Sequence, residues 1–97
     1  MAKGYWIAAY RSASDPDKMA AYGKIAGPAL EAAGGRILAR TNEVTAFESG
    51  LEQRVVLIEF PSRQDAVDCY HSDEYQRALE AFDGSADRDV RIVGAVD

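Results

Sequence analysis

Apolar residues follow two different patterns along this chain, and the changes between them divide the sequence into elements. Residues 4–11 and 54–60 are nearly continuous apolar runs with aromatic and β-branched side chains, which predicts strands. Neither strand has a clearly polar face, so we expect both to be covered on both sides. Shorter apolar runs at residues 36–40 and 90–96 predict two further strands.

Residues that favour a helix lie between the strands predicted at residues 4–11 and 36–40. The tripeptide Ser14-Asp15-Pro16 predicts a helix start, because aspartate accepts from free backbone N–H groups and proline suits the first helical position. Apolar residues then recur at helical spacing as far as the pair Gly34-Gly35, which can end the helix. Pro28 lies inside this stretch, and we expect it to kink the helix.

A second helical stretch precedes the last strand. Pro61 ends the strand before it, and Ser62 with Asp65 three residues later resembles a capping box. Ser72 is a second candidate N-cap, so two consecutive helical segments are predicted. The polar residues 41–53 are expected to form a hairpin connection or a strand extension.

The resulting order, β-α-β-β-α-β, predicts an α+β fold of the ferredoxin-like type in a single domain over residues 1–97. Such a domain has an antiparallel four-stranded sheet with the helices on one face. The helices can cover only that face, although the strands at 4–11 and 54–60 are apolar on both. We therefore expect a homodimer in which two sheets face each other.

Composition narrows the classes of partner. The net charge is -5, and the 11 basic residues are scattered, so no nucleic-acid partner is expected. Cys69 is the single cysteine, which leaves no internal disulfide and no cysteine-based metal cluster; neither a metal nor a cofactor is expected. No apolar run approaches the roughly 18 residues of a membrane helix, and the N-terminus lacks signal-peptide character. A cytoplasmic location without membrane contact is expected.

Several short runs together resemble the uncharacterised bacterial family catalogued as domain of unknown function 1330. The resemblance covers almost the whole chain and rests on GYWIAAY, DP, Tyr22, GGRILAR, VVLIEFPS, SDEYQ and RIVG. It implies the dimeric α+β barrel fold, whose members include small monooxygenases, isomerases, haem-handling enzymes and stress-induced proteins, and by analogy a pocket between sheet and helices. Two positions depart from the family pattern: Cys69 stands where tryptophan is common, and Phe82 where arginine is common.

The antiparallel topology predicts which side chains meet at one end of the sheet. The first strand ends there, the first helix and the third strand begin there, and the second helix returns to it. Convergent polar and aromatic groups beside an apolar layer are typical of a small-ligand site. The candidate ligand-binding residues at this end are Tyr10, Arg11, Tyr22, Arg54, Tyr70, His71 and Tyr75.

Two residues could carry proton chemistry. His71 could be a general base or a ligand anchor, or it could cap the carbonyls at a helix end. Glu59 is a second candidate acid or base; alternatively it pairs with an arginine, reaches water or lies in the dimer interface. Glu59 is five residues from Arg54, roughly 17 Å along a strand. We therefore do not expect Glu59 and His71 to act on one atom.

Two functions remain open at this point. The first is a dimer that binds a small, partly apolar organic molecule and could catalyse cofactor-independent proton transfer or oxygenation, in the manner of a monooxygenase or isomerase. His71 would then carry the proton, and Tyr22 or Tyr75 would orient the ligand. The second is a non-catalytic interaction or stress-response module. A filled gap between sheet and helices would favour the module, and a cavity of a few hundred Å³ would favour ligand binding.

Overall fold

The computed structural model describes residues 2–12 and 15–96, which form one antiparallel sheet with helices on one face. Its elements are β1 (Gly4–Tyr10), α1 (Pro16–Ala32), β2 (Arg36–Thr41), β3 (Val55–Phe60), α2 (Arg63–His71), α3 (Asp73–Phe82) and β4 (Arg88–Gly94). The strand order is β2-β3-β1-β4, and every neighbouring pair is antiparallel. The predicted α+β, ferredoxin-like fold is confirmed.

Local capping explains where the helices begin. The side chains of Asp15, Ser62 and Ser72 each accept a backbone N–H from the first turn of α1, α2 and α3 respectively. These three predicted caps are confirmed, while Ser14 lies outside the described residues. Because Ser72 both ends α2 and begins α3, the chain changes direction there instead of forming one long helix.

The longest helix, α1, ends as its glycines predict. Gly34 adopts a left-handed φ of +88°, and the N–H of Gly35 donates to the carbonyl of Leu30 at 2.8 Å. Pro28 lies within α1 and does not end it. None of the described helices is long and apolar enough to cross a membrane.

The largest differences between observed and predicted strands lie in residues 42–54 and in β4, which spans Arg88–Gly94 instead of residues 90–96. Residues 42–54 form a loop with turns, so the strand extension considered for this segment is absent. β4 begins at Arg88, two residues before the apolar run, because Arg88 pairs with Tyr10 and the ladder with β1 extends that far. This extension places a guanidinium on the helix-covered side of the sheet.

The core lies between the sheet and the helices. Trp6, Ile58, Phe60 and Tyr75 are its largest fully buried side chains. The ring centroids of Trp6 and Tyr75 are 4.9 Å apart in an edge-to-face arrangement, which joins α3 to β1. Gly4 lets α2 approach the sheet, because a Cβ there would lie 2.5 Å from the Cα of Arg63.

No described helix covers the opposite face of the sheet. Side chains alternate along β1, so every second residue points away from the helices and is only half-buried. Apolar residues of this outer face are Tyr5, Ile7, Ala9, Val55, Leu57 and Val93.

Candidate functional site

A cavity of about 230 Å³ lies between α1 and the sheet. Its apolar floor comes from β1 and β3, including Trp6, Val56 and Ile58. The remaining lining includes two tyrosines and three arginines: Tyr10, Tyr22, Arg40, Arg54 and Arg88. An apolar floor with a few convergent polar groups is the usual form of a small-molecule site.

The cavity exists because α1 presents small residues to it. Gly23, Ala26 and Gly27 line the cavity, and a Cβ added at either glycine would meet nothing within 4 Å. Larger side chains at these helical positions would fill the space above the sheet. In the C-terminal half of α1, Ala29 and Leu30 are buried and pack the helix against the core. The cavity lies beside Gly23, earlier in the same helix.

A hydrogen-bonded cluster closes one end of the cavity. Arg88 donates from Nη1 to Tyr22 Oη at 3.2 Å and from Nη2 to Tyr75 Oη at 3.0 Å. The two hydroxyl oxygens are 2.7 Å apart. The guanidinium also lies over the ring of Phe82, with its carbon 4.4 Å from the ring centroid, which is a cation–π contact.

Burial sets the protonation states in this cluster. Desolvation raises the pKa of Tyr75 well above its usual value, and neighbouring Tyr22 acts in the same direction. Burial alone would lower the pKa of Arg88, but the oxygens of Tyr22 and Tyr75 outweigh it, and the net pKa is raised. Desolvation likewise raises the pKa of Tyr10. At physiological pH the site thus combines the protonated hydroxyls of Tyr10 and Tyr75 with the charged guanidinium of Arg88.

Among the described residues, the arginines of the cavity have no acidic partners. No aspartate or glutamate of the described chain lines the cavity. Within residues 2–12 and 15–96, none of Arg40, Arg54 and Arg88 forms an ion pair with a carboxylate. The ion pairs that do form join Lys3 to Glu59, Lys18 to Asp83, and both Arg11 and Arg91 to Asp89.

The structure brings together four of the candidate residues. Tyr10, Tyr22 and Arg54 line the cavity, and Tyr75 supports it from behind through its hydroxyl contact with Tyr22. Tyr70 is half-buried and packs against the core with its ring centroid 5.7 Å from that of Trp6, and it borders the same groove as His71. That these residues bind a ligand remains a prediction.

His71 and Arg11 do not line this cavity. His71 is exposed at the end of α2, with its ring against Tyr70, and it borders a separate shallow groove beside Val90 and Ile92 of β4. The reason is that α2 packs on β1 and β4, so its end borders β4 and not the cavity beneath α1. Arg11 is exposed and donates to Asp89 at 3.2 Å.

Glu59 faces away from the cavity. It lies opposite Tyr5 in the β1–β3 ladder and shares the outer face with Leu57. Its carboxylate accepts from Lys3 Nζ at 3.1 Å, so its partner is a lysine and not the arginine considered from the sequence. This position removes Glu59 from any reaction in the cavity.

Sequence reasoning missed Arg40 and Arg88. The apolar run predicts the last strand from residue 90 and so leaves Arg88 outside it, although the spacing of Arg88 from Val90 and Ile92 continues the alternation that points to the helices. That alternation was the available signal. The family resemblance implied an arginine missing at Phe82; in the structure the guanidinium of Arg88 lies over the Phe82 ring.

Cys69 is buried and does not line the cavity. Burial raises the pKa of the Cys69 thiol to about 11, with Glu74 acting in the same direction, so the thiol is protonated at neutral pH. Its Sγ faces the carbonyl of Ala29 at 3.8 Å. Among the described residues, no group of three or more His, Cys, Asp or Glu side chains is arranged to hold a metal ion.

Solved structures with the same fold are numerous, and their sequences are distant. A protein of unknown function from Rhodopseudomonas palustris, RPA0582, has a TM-score of 0.73 at 21% identity, covering 99% of this chain and 84% of that chain. A candidate antibiotic biosynthesis monooxygenase from Caulobacter crescentus CB15 has a TM-score of 0.61 at 16% identity, covering 99% and 92%. Another from Nitrosomonas europaea has 0.54 at 14%, covering 100% of both. At these identities the likeness concerns the fold alone.

Family membership rests on the sequence itself. No curated protein matches it at a significant level. The pattern of the family described as Domain of unknown function (DUF1330) matches residues 3–96, which is nearly the entire chain. The chain therefore belongs to the DUF1330 family, as its sequence motifs predicted.

Proposed function

We propose that this protein binds a small, partly apolar organic molecule in the cavity between α1 and the sheet. The observation that carries the proposal is the cavity of about 230 Å³, with an apolar floor and tyrosine and arginine groups at one end. Sites for drug-sized ligands measure roughly 300–1,000 Å³, so this one suits a molecule of about one ring with a polar substituent. A non-catalytic interaction module would have no need of such a gap.

The outer face of the sheet supports a homodimer as the working form. Ile7 and Leu57 lie opposite each other at its centre, and no described helix covers them. Ion pairs of Lys3 with Glu59 and of Arg11 with Asp89 flank the apolar centre. An apolar centre with a charged rim, present once per chain, is self-complementary in a two-fold dimer.

Catalysis is a narrower proposal than binding. Two structural neighbours are candidate antibiotic biosynthesis monooxygenases, which by analogy of fold makes a monooxygenase-like reaction the first activity to assay. His71 is not at the cavity, so it is not our proton carrier. The cavity offers the Tyr22 hydroxyl as the hydrogen-bond donor and Arg88 as the fixed charge for any such reaction.

Binding can be tested with a reporter that the chain already contains. Trp6 is the only tryptophan and it lines the cavity. We expect benzamide and benzyl alcohol to shift the Trp6 indole N–H resonance and to change its fluorescence in the wild-type protein. Ala26→Leu should abolish both responses by filling the cavity, whereas Ala21→Leu, at an exposed position of the same helix, should leave them intact.

Native mass spectrometry of freshly purified protein addresses the assembly and any retained ligand together. A dimer with additional mass supports both parts of the proposal. A bare monomer overturns the dimer, because the outer face would then be stable without a partner. If the probes leave the Trp6 signals of both the wild-type and the Ala26→Leu protein unchanged, the cavity is not a binding site for them. That result overturns the proposal and favours the interaction module.

A further inference from the structure

The charge of the cavity differs from that of the chain as a whole. The protein carries a net charge of -5, yet the cavity lining contains three arginines and, among the described residues, no acid. Arg88 is half-buried, and its described partners are two tyrosine hydroxyls and aromatic rings. Burying a charge without a counter-ion is costly, so an anion at this position would be stabilising.

The hydrogen-bond partners of Tyr22 and Tyr75 determine which of the two hydroxyls donates to the other. Tyr75 is fully buried, and the partners of its hydroxyl are Tyr22 and Arg88. Arg88 can only donate, so the Tyr75 hydrogen must go to the Tyr22 oxygen; otherwise it would be buried without an acceptor.

Tyr22 Oη then accepts from both Tyr75 and Arg88. Its own hydrogen has no acceptor within the part of the chain that the structure describes, and the residue lines the cavity. Accepting two hydrogen bonds polarises the Tyr22 O–H group, which makes it a stronger donor. The cavity therefore presents a directed hydroxyl donor close to a charged guanidinium.

We infer that the ligand of this cavity is a small organic carboxylate, with its anionic oxygen accepting from Tyr22 and its ring on the apolar floor. This inference rests on the proposed function and specifies its ligand class. A planar guanidinium pairs well with a carboxylate, and Arg54 and Arg40 supply such groups to the same cavity. The floor formed by Trp6 and Ile58 favours a ligand with an apolar body over a free inorganic anion.

The test compares two probes of almost the same shape, benzoate and benzamide, at neutral pH with Trp6 as reporter. We expect benzoate to bind about tenfold more tightly, the ratio given by one charge-assisted hydrogen bond. Arg54→Gln should reduce the ratio of benzoate affinity to benzamide affinity several-fold. Arg36→Gln, at an exposed position of β2 outside the cavity, is the matched control and should retain the preference.

The donor is tested separately. Tyr22→Phe keeps the ring and removes the hydroxyl, and we expect it to weaken benzoate binding about tenfold. Because this change also deprives Tyr75 of its acceptor, folding is verified by circular dichroism, and Arg54→Gln provides the independent reading. Equal affinity for both probes, or benzoate binding that survives Tyr22→Phe unchanged, overturns the carboxylate inference while leaving a small-molecule site. Failure of both probes to affect Trp6 overturns the proposed function together with the inference.

Discussion

The two faces of the sheet differ in whether their charged side chains form ion pairs. On the outer face, ion pairs such as Lys3–Glu59 and Arg11–Asp89 flank the apolar centre. On the helix-covered face, Arg88 and Arg54 line a cavity and pair with no described acid. A surface that satisfies its own charges is suited to self-association, whereas one that leaves a charge unmatched is suited to a ligand.

The largest expected effect is a difference in stability loss between substitutions on the two faces of β1. Trp6→Ala removes a fully buried side chain and should lower the free energy of unfolding by about 3–5 kcal/mol. Tyr5→Ala, next to it but on the outer face, should cost about 1 kcal/mol in the isolated chain. Urea unfolding followed by circular dichroism measures both. Similar losses for the two variants would mean that the faces are equally packed.

The second prediction concerns a substitution that should weaken the proposed dimer without affecting the cavity. Ile7→Lys places a charge at the centre of the proposed dimer interface, where two copies would meet, and the dimer dissociation constant should rise at least about 100-fold. Analytical ultracentrifugation measures it, with Ala20→Lys at an exposed position of α1 as the control. Because Ile7 does not line the cavity, the Trp6 response to benzamide should persist. A dimer of unchanged affinity would place the interface elsewhere.

The third prediction concerns pH and the helix-covered side. Burial raises the pKa of Cys69 from 9.0 to about 11, so the folded protein holds this proton after the unfolded chain has released it. The resulting stabilisation is complete below about pH 9 and is lost as the pH rises toward 11, at a total of about 2 kcal/mol. Cys69→Ala should flatten the dependence of the unfolding free energy over this range. An identical slope in the variant would contradict the assignment to Cys69.

The smallest expected effect tests whether His71 belongs to the ligand site. His71 is exposed and borders a groove on the β4 side, so His71→Ala should leave benzamide affinity within about twofold of wild type. Titration monitored through Trp6 fluorescence provides the measurement. A tenfold loss would return His71 to the site and would require α2 to approach the cavity more closely than it does here.

Local chemistry along the chain determined where most elements begin and end. Asp15, Ser62 and Ser72 cap helices because each places a side-chain oxygen beside free backbone N–H groups, which depends only on neighbouring residues. The left-handed Gly34 ends α1 for an equally local reason. The element order then restricted the topology to the ferredoxin-like arrangement.

Tertiary structure decided which side chains share the cavity. Arg88 belongs to β4 because it pairs with Tyr10 in the ladder, and His71 lies outside the cavity because α2 packs on β1 and β4. The gap beside Gly23 exists because no side chain from another element fills it. These outcomes depend on distances between residues far apart in sequence, whereas caps, turns and strand periodicity are set by the nearest neighbours.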